Sequence, residues 1–272
     1  MMHEITSTYR GSRSTFDVET YDHEHESLFP TKRIRKIVWS IYYKYFKQGD
    51  SLLELNCGTG ADALELASNG IYVTATDASV EMMSVVRKKV TATALHQFVF
   101  PLHLPLSRLR TLYGRQYDGV ISSFGGLNCT NQLHQVAHDL AMLVKPGGII
   151  VLSILSKFSF WETISFLLRG EWNRAFRRRL PDGVLTKMKG ELVWAHYYSP
   201  AQIRTTFAPH FDCVEHRGIN IFSLPPTSIK IYRLLGRMNR LLEYLDDHLP
   251  PGSGLHSFGN HFTIVLRRKG VA

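Results

Sequence analysis

Residues 52–67, with the sequence LLELNCGTGADALELA, constrain the fold of this chain more than any other segment. An apolar strand ends near Glu54, the chain turns through Gly58 and Gly60, and a helix begins directly afterwards. Glycine suits such a turn because a side chain would keep a ligand away from the backbone. Free N–H groups at the start of the helix favour anionic groups. The segment therefore predicts a strand–turn–helix unit with a ligand at the turn.

An acidic residue after the next strand indicates what kind of ligand this is. Residues 71–76 are rich in β-branched side chains and predict a strand, which ends at Asp77, 17 residues after Gly60. In a doubly wound sheet, a carboxylate in this position accepts hydrogen bonds from ribose hydroxyls. A nucleotide cofactor is expected. Aligning Gly58 and Gly60 with the dinucleotide pattern GxGxxG puts Ala63 at the third glycine, so a nicotinamide cofactor remains an alternative.

Strands and helices alternate between residues 31 and 154. Helices are predicted at 31–46, from the turn to 67, at 79–90 and at 132–143, and strands at 51–55, 71–76, 97–100, 117–122 and 149–154. A turn at 145–148 closes the last of these helices. This order predicts an α/β fold, a doubly wound parallel sheet with helices on both faces.

The alternation is interrupted twice late in the chain. Residues 156–199 contain an aromatic helix, FSFWETISFLLRG, then the basic stretch WNRAFRRRL and two strand-like runs. Residues 200–207 predict a helix, 211–217 a strand, 227–249 an added helix and 261–266 a final strand. We interpret the interruptions as a lid or substrate pocket. The aromatic helix either packs as a plain lid, lines a lipophilic pocket or touches a membrane surface.

The net charge, the hydropathy and the cysteines indicate which partners and which cellular compartment suit this chain. A net charge of +9 over 272 residues suits nucleic acid, an anionic membrane surface or an acidic small molecule, or is simply a solvated basic face. No apolar run reaches the 18 or more residues of a membrane span. Three scattered cysteines and a polar start predict a cytoplasmic protein without disulfides.

Four stretches resemble a known family. ELNCGTG, YVTATDASVEMM, YDGVISSFGGLNC and VKPGGIIVLSI are similar, in this order, to the motifs of class I (Rossmann-like) S-adenosylmethionine-dependent methyltransferases, in particular to methyltransferase type 11/25 domains. The resemblance implies a seven-stranded, mostly parallel sheet with an antiparallel last strand. It implies a helical cap at residues 1–50, then a methyltransferase domain at 51–272 with insertions at about 156–199 and 225–255.

The resemblance also implies roles for individual residues. Asp77 would bind the ribose hydroxyls, and Glu54 would face the cationic methionine part of S-adenosylmethionine. The implied cofactor-binding set is Tyr21, Glu54, Asn56, Cys57, Gly58, Thr59, Gly60, Asp77, Ala78, Met82, Leu102, His103, Ser122, Phe124 and Asn128. Asn56 replaces the first glycine of the family motif, so a left-handed backbone is expected there. Leu102 and His103 stand where the family often has an acidic residue near adenine.

The expected function is methyl transfer to a small hydrophobic or aromatic acceptor by in-line attack on the sulfonium methyl, with S-adenosylhomocysteine as product. Such a transfer needs positioning and exclusion of water more than a general base. His196 and His256 are weak candidates for a base, and no metal is expected. The alternatives are an RNA methyltransferase, a non-catalytic cofactor-binding subunit with the same fold, or a nicotinamide oxidoreductase. The acceptor and the oligomeric state stay open.

Overall fold

The structure, a computed structural model, describes residues 29–188, 191–224, 236–250 and 252–270. Tyr21 lies outside these ranges. The helices are α1 (Phe29–Tyr45), α2 (Ala61–Ser68), α3 (Val80–Ala92), α4 (Leu133–Leu143), α5 (Phe160–Leu167), α6 (Trp172–Ala175), α7 (Pro200–Phe207) and α8 (Arg237–Asp247). The strands are β1 (Ser51–Leu55), β2 (Tyr72–Asp77), β3 (Val99–His103), β4 (Tyr117–Ser122), β5 (Val144–Leu155), β6 (Val184–Met188), β7 (Glu191–Ala195), β8 (Phe211–Ile219) and β9 (His261–Arg268).

Seven strands form one sheet in the order β3-β2-β1-β4-β5-β9-β8. Strands β1 to β5 are parallel, and β9 is antiparallel to both of its neighbours. The chain order reverses between β1 and β4, so a crevice opens beyond the carboxyl ends of these two strands, where α/β proteins bind ligands. The predicted fold class is confirmed.

Two apolar layers cover the sheet. One layer combines the apolar stripe of α1 with residues of α2 and α3, and the other combines α4 and α7 with the opposite face of the strands. Ile34, Val38 and Tyr42 of α1 are almost fully buried, as their spacing along the helix predicts. This packing fixes helices α2 and α3, and it thereby fixes the loops after β1 and β2 that precede them.

Some boundaries differ from the sequence-based expectation. Strand β3 extends from Val99 to His103 through Pro101, which is tolerated because β3 lies at the edge of the sheet. Strand β5 already begins at Val144, and a register shift against β4 accommodates the expected turn at 145–148. The late helix begins at Arg237, and residues 225–235 lie outside the described ranges.

The two strand-like runs of the first insertion form a separate hairpin. Strands β6 and β7 pair with each other in antiparallel register and with no other strand of the described residues. Strand β7 packs on the short 3-10 turn Gly126–Cys129 after β4. The hairpin therefore lies beside the crevice. No helix in the described part of the chain is long and apolar enough to span a bilayer.

Candidate cofactor and acceptor site

The loop after β1 has the left-handed backbone that a tight turn requires. Asn56, Gly58 and Gly60 have φ angles of 54°, 57° and 79°. Asparagine tolerates this conformation better than other residues with a side chain, so the expectation for Asn56 is confirmed. A Cβ on Gly60 would lie 3.0 Å from a methyl group of Val86 in α3. The glycine thus permits both the turn and the close packing of the next helix.

Asp77 ties this loop to the end of β2. Its Oδ2 accepts a hydrogen bond from the backbone N–H of Gly58, and its Oδ1 accepts one from Ser79, each over 2.9 Å. The N–H of Cys57 also donates to the carbonyl of Thr76 at 2.8 Å. A carboxylate has about four acceptor sites. Asp77 therefore holds the loop and keeps acceptor capacity for hydroxyl groups.

Two buried polar atoms at the crevice lack a partner. Glu54 Oε2 and Ser122 Oγ are fully buried and accept or donate no hydrogen bond within the described residues. Burial raises the pKa of Glu54 well above its ordinary value, and the nearby carboxylate of Asp62 raises it further. Such orphaned groups usually mark a site that a ligand or water completes.

The space between the two loops is narrow. A Cβ on Gly126 would lie 2.7 Å from Ser122 Oγ and 2.8 Å from the Cβ of Asn56. Phe124, between Ser122 and Gly126, has a φ of 50°, which costs energy for an aromatic residue. The loops after β1 and β4 are thus held in strained conformations against each other, as is common at functional sites.

Helix α1 contributes residues that the sequence analysis missed. The buried carboxylate of Asp62, in the first turn of α2, accepts hydrogen bonds from Trp39 Nε1 (3.0 Å) and the Tyr42 hydroxyl (3.3 Å). It also accepts one from the Ser123 hydroxyl at the end of β4. Arg35 is 3.4 Å from Asp62, and its guanidinium lies 5.0 Å from the ring centre of Phe124. An acidic residue at a helix start was the only signal of this cluster in the sequence.

Residues of β2, β3 and α3 line the far end of the crevice. Met82 is buried and packs with Val85, apart from the two main core layers. His103 is exposed, and its Nε2 lies 2.9 Å from the carbonyl oxygen of Ala78. Leu102 is half-buried, and Thr59 is buried. Leu102 and His103 stand where the family often has an acidic residue, and they provide an apolar side chain and an imidazole instead.

Asn128 has no free side-chain group. Its amide nitrogen donates to the carbonyls of Leu155 (3.0 Å) and His196 (2.6 Å), and its oxygen accepts from the N–H of Leu155 (2.9 Å). Its side chain therefore joins β5 to the end of the hairpin beside the crevice. His196 is thereby brought to the crevice, and burial lowers the pKa of its imidazole.

His256 is held elsewhere. Its Nδ1 accepts a hydrogen bond from the Gly218 N–H at 3.2 Å, and its Nε2 lies 3.2 Å from the Pro250 carbonyl. Burial lowers the pKa of this histidine as well. Both ring nitrogens therefore contact backbone groups of the protein itself, beside β8, the outermost strand of the sheet. The structure does not bring His256 and His196 together.

The first insertion is anchored over the carboxyl edge of the sheet by a buried arginine. Arg178 donates to the carbonyl of Ser156, after β5, and to Asn260 Oδ1, before β9. A third partner of Arg178 is the carboxylate of Glu162 in α5, which also pairs with Arg177 at 2.9 Å. Trp161 Nε1 donates to the carbonyl of Phe222 at 2.7 Å. These contacts hold aromatic side chains of α5 on the same side of the sheet as the crevice.

Comparison with known proteins agrees with these features. Residues 52–148 match the family of methyltransferase domains. The uncharacterized protein MJ1252 of Methanocaldococcus jannaschii is 25% identical over 74% of this chain and 77% of its own length. A demethylmenaquinone methyltransferase of Clavibacter sepedonicus is 32% identical over 38% of this chain, and the match spans only 40% of that relative.

A solved structure has the same fold. The geranyl diphosphate C-methyltransferase of Streptomyces coelicolor, in complex with S-adenosyl-L-homocysteine, covers 88% of this chain and 76% of its own, with a TM-score of 0.57 and 11% identity. The sheet order, the glycine-rich loop and these similarities agree with the resemblance drawn from the four sequence motifs. Residues 52–148 therefore form a methyltransferase domain, and the similarities support its resemblance to class I S-adenosylmethionine-dependent methyltransferases.

Proposed function

We propose that this chain transfers a methyl group from S-adenosylmethionine to a small hydrophobic or aromatic acceptor. The observation that carries this proposal is the position of the first insertion. Its aromatic side chains are anchored, through Arg178, over the same edge of the sheet that carries the glycine-rich loop. An acceptor bound beneath them would meet apolar surface on one side and the cofactor crevice on the other.

The residues around the crevice fit the cofactor. The unpartnered oxygen of Glu54 suits the cationic methionine part, and Asp77 has the acceptor capacity that two ribose hydroxyls need. We assign Met82 to the adenine side and the backbone of residues 56–58 to the methionine side. Ser122 and Phe124 are assigned to the space beside the reacting methyl group. Bound there, S-adenosylmethionine supplies an electrophilic methyl group.

The protein's own contribution is positioning and exclusion of water. The strained loop at Phe124 and the hairpin end at His196 would define the acceptor side. Because burial lowers the pKa of His196, its imidazole is neutral near pH 7 and able to accept a proton from an acceptor hydroxyl. Asn128 would act on His196 only as a positioning residue, through the two hydrogen bonds to its backbone.

Several arginines of the first insertion are already paired, which weighs against RNA as the acceptor. Arg177 and Arg178 share Glu162, and Arg174 pairs with Glu171. Phosphate contacts need guanidinium groups that are free to face the ligand. We further propose a cytoplasmic location, a helical cap at residues 1–50, and a lid or substrate pocket formed by the insertions at about 156–199 and 225–255.

Transfer of a tritiated methyl group tests the proposal. The purified chain and radiolabelled S-adenosylmethionine are incubated with a panel of lipophilic phenols and quinols, and separately with unfractionated tRNA. Label is expected in at least one phenol or quinol, and Asp77→Asn should abolish it. Label that enters only tRNA, or none of the acceptors while cofactor still binds, would refute the proposed acceptor class.

A further inference from the structure

The first insertion exposes large apolar side chains that a water-facing surface rarely carries. Leu168, Leu192 and Trp172 are 83%, 70% and 65% exposed, the highest values for large apolar residues in the described part of the chain. Trp194 is 55% exposed and faces Leu185 across the hairpin, in a register that places both on one face. Large apolar side chains exposed together on one insertion indicate an interaction site.

Helix α8 is inverted relative to an ordinary surface helix. Its polar residues Asn239 and Asp246 are buried, whereas Leu241 and Tyr244 are 53% and 57% exposed. The buried side chains bind the backbone of the loop after β8, where Asp246 accepts from the N–H of Phe222 at 2.8 Å. An amphipathic helix normally buries its apolar face, so α8 presents that face to something outside the fold.

Both apolar regions belong to elements held at the same edge of the sheet. The insertion is tied to residues 156 and 260, and it also contacts Phe222 through Trp161. Phe222 is in turn bound to Asp246 of α8. This is the edge at which the glycine-rich loop opens. We call Leu168, Trp172, Leu192, Trp194, Leu241 and Tyr244 the cap surface.

The charge of the insertion indicates what covers the cap surface. Residues 162–194 contain seven lysines and arginines against four acidic residues, so net positive charge remains even though Glu162 and Glu171 pair with three of the arginines. Tryptophan and leucine side chains next to arginines are typical of segments that lie in the interface of an anionic bilayer. Guanidinium groups of Arg169 and Arg179 lie over aromatic rings of the insertion and keep positive charge beside the apolar side chains.

We propose that the cap surface docks on the surface of an anionic lipid bilayer, so that the active-site edge faces the membrane. The acceptor is then a lipophilic molecule resident in the bilayer, which enters the crevice without crossing water. The statement about the acceptor rests on the proposed function, whereas the docking itself does not. Docking on an interface needs no membrane-spanning helix.

Vesicle flotation without cofactor or acceptor tests the docking. The intact chain is mixed with vesicles of phosphatidylcholine alone or with phosphatidylglycerol at about one third of the lipid. We expect binding to the anionic vesicles, weakened by salt, with a shift of tryptophan emission to shorter wavelength. The variant Trp172→Ala/Trp194→Ala/Leu241→Ser/Tyr244→Ser should bind at least about tenfold more weakly.

A matched control distinguishes the cap surface from exposed apolar residues in general. Phe100 and Met142, each 48% exposed, lie outside the insertion and α8, so Phe100→Ala/Met142→Ala should bind vesicles like the wild type. Circular dichroism and the urea midpoint check that all variants are folded. Absence of vesicle binding by the wild type, or salt-sensitive tRNA binding in its place, would overturn the docking proposal. S-adenosylmethionine binding, measured on the same samples, shows separately whether the proposed function fails.

Discussion

The hydroxyl of Ser123 donates a hydrogen bond to the carboxylate of Asp62, which joins the end of β4 to the first turn of α2. The same carboxylate accepts from Trp39 and Tyr42 of α1. One buried acidic residue therefore connects both crevice loops to the helix that covers them.

Replacing Asp62 should destabilise the whole domain. Asp62→Ala leaves the buried Tyr42 hydroxyl, two half-buried donors and the Arg35 guanidinium without their acceptor, so the free energy of unfolding should fall by about 3–5 kcal/mol. Urea unfolding measures this loss. Glu65→Ala on the same helix removes a hydrogen bond to the exposed Tyr43 hydroxyl and should cost less than about 1 kcal/mol. Equal losses in the two variants would show that Asp62 has no special role.

Binding of the cofactor should release a proton from Glu54. Burial and the neighbouring carboxylate of Asp62 raise the pKa of this carboxyl group well above its ordinary value, which favours its protonated form before the cofactor binds. The cationic methionine part favours the ionised form, so the affinity for S-adenosylmethionine should rise with pH. Calorimetry in two buffers of different ionisation enthalpy counts the released protons.

The Glu54→Gln variant should show no proton release. Glu81→Gln is a suitable control because a backbone hydrogen bond and the Ser79 hydroxyl lower the pKa of Glu81, which is already ionised. Identical binding heats in both buffers for the wild type would contradict the assignment of Glu54 to the cationic part of the cofactor.

The ion pair of Glu162 and Arg178 should hold the first insertion on the sheet. Burial raises the pKa of Glu162, but Arg178 and Arg177 lower it more, so its net pKa is below the ordinary value. The folded form is thus stabilised above the ordinary glutamate pKa of about 4.3, and this stabilisation is lost as the pH falls through the lowered pKa. Arg178→Met should increase hydrogen exchange in residues 156–188 at neutral pH while strands β1 and β4 stay protected.

The exposed pair of Arg174 and Glu171 provides the comparison for that experiment. Arg174→Met should leave the exchange rates of the insertion within about threefold of the wild type, because exposed ion pairs contribute less than about 1 kcal/mol. If Arg178→Met and Arg174→Met gave the same hydrogen-exchange rates in the insertion, its apolar contacts alone would hold it on the sheet.

His261 should make the domain sensitive to mild acid. Burial, and secondly the charge of Arg178, lower the pKa of this histidine from 6.5 to about 3. The unfolded chain therefore takes up the proton first, and stability falls as the pH drops from about 6.5 towards 3. Between pH 7 and pH 5 this group alone should cost about 2 kcal/mol. Urea unfolding of His261→Gln should show a correspondingly smaller pH dependence, whereas His134→Gln, at an exposed position, should behave like the wild type.

The sequence predicted those parts of the fold that depend on local pattern. The alternation of strands and helices follows from residue type and spacing, the left-handed Asn56 follows from the motif resemblance, and both are present. Strand β3, which continues through Pro101, was less predictable because a proline is tolerated in a strand only at a sheet edge. Whether β3 lies at the edge depends on the topology and not on its own residues.

Contacts between distant segments were not predictable from the sequence. The cluster around Asp62 joins residues that are 20 or more positions apart, and the partner of Arg178 at Asn260 is 82 positions away. Likewise, Asn128 and His256 have residue types suited to catalysis, yet the backbone groups of Leu155 and Gly218 use their polar atoms. A single sequence shows which side chains are chemically able, and the fold decides which of them are available.

Titration calorimetry with S-adenosylmethionine, S-adenosylhomocysteine and NADH shows whether the crevice at the glycine-rich loop binds the methyl donor. The wild type should bind the first two and not NADH, and Asp77→Asn should weaken both by at least about tenfold, since it removes a charged acceptor. Asp118→Asn is the matched control, because Asp118 also accepts a backbone N–H, that of Ser51, at the opposite edge of the sheet. Preferential binding of NADH, or S-adenosylmethionine binding that Asp77→Asn leaves unchanged, would contradict the assignment of this crevice to S-adenosylmethionine.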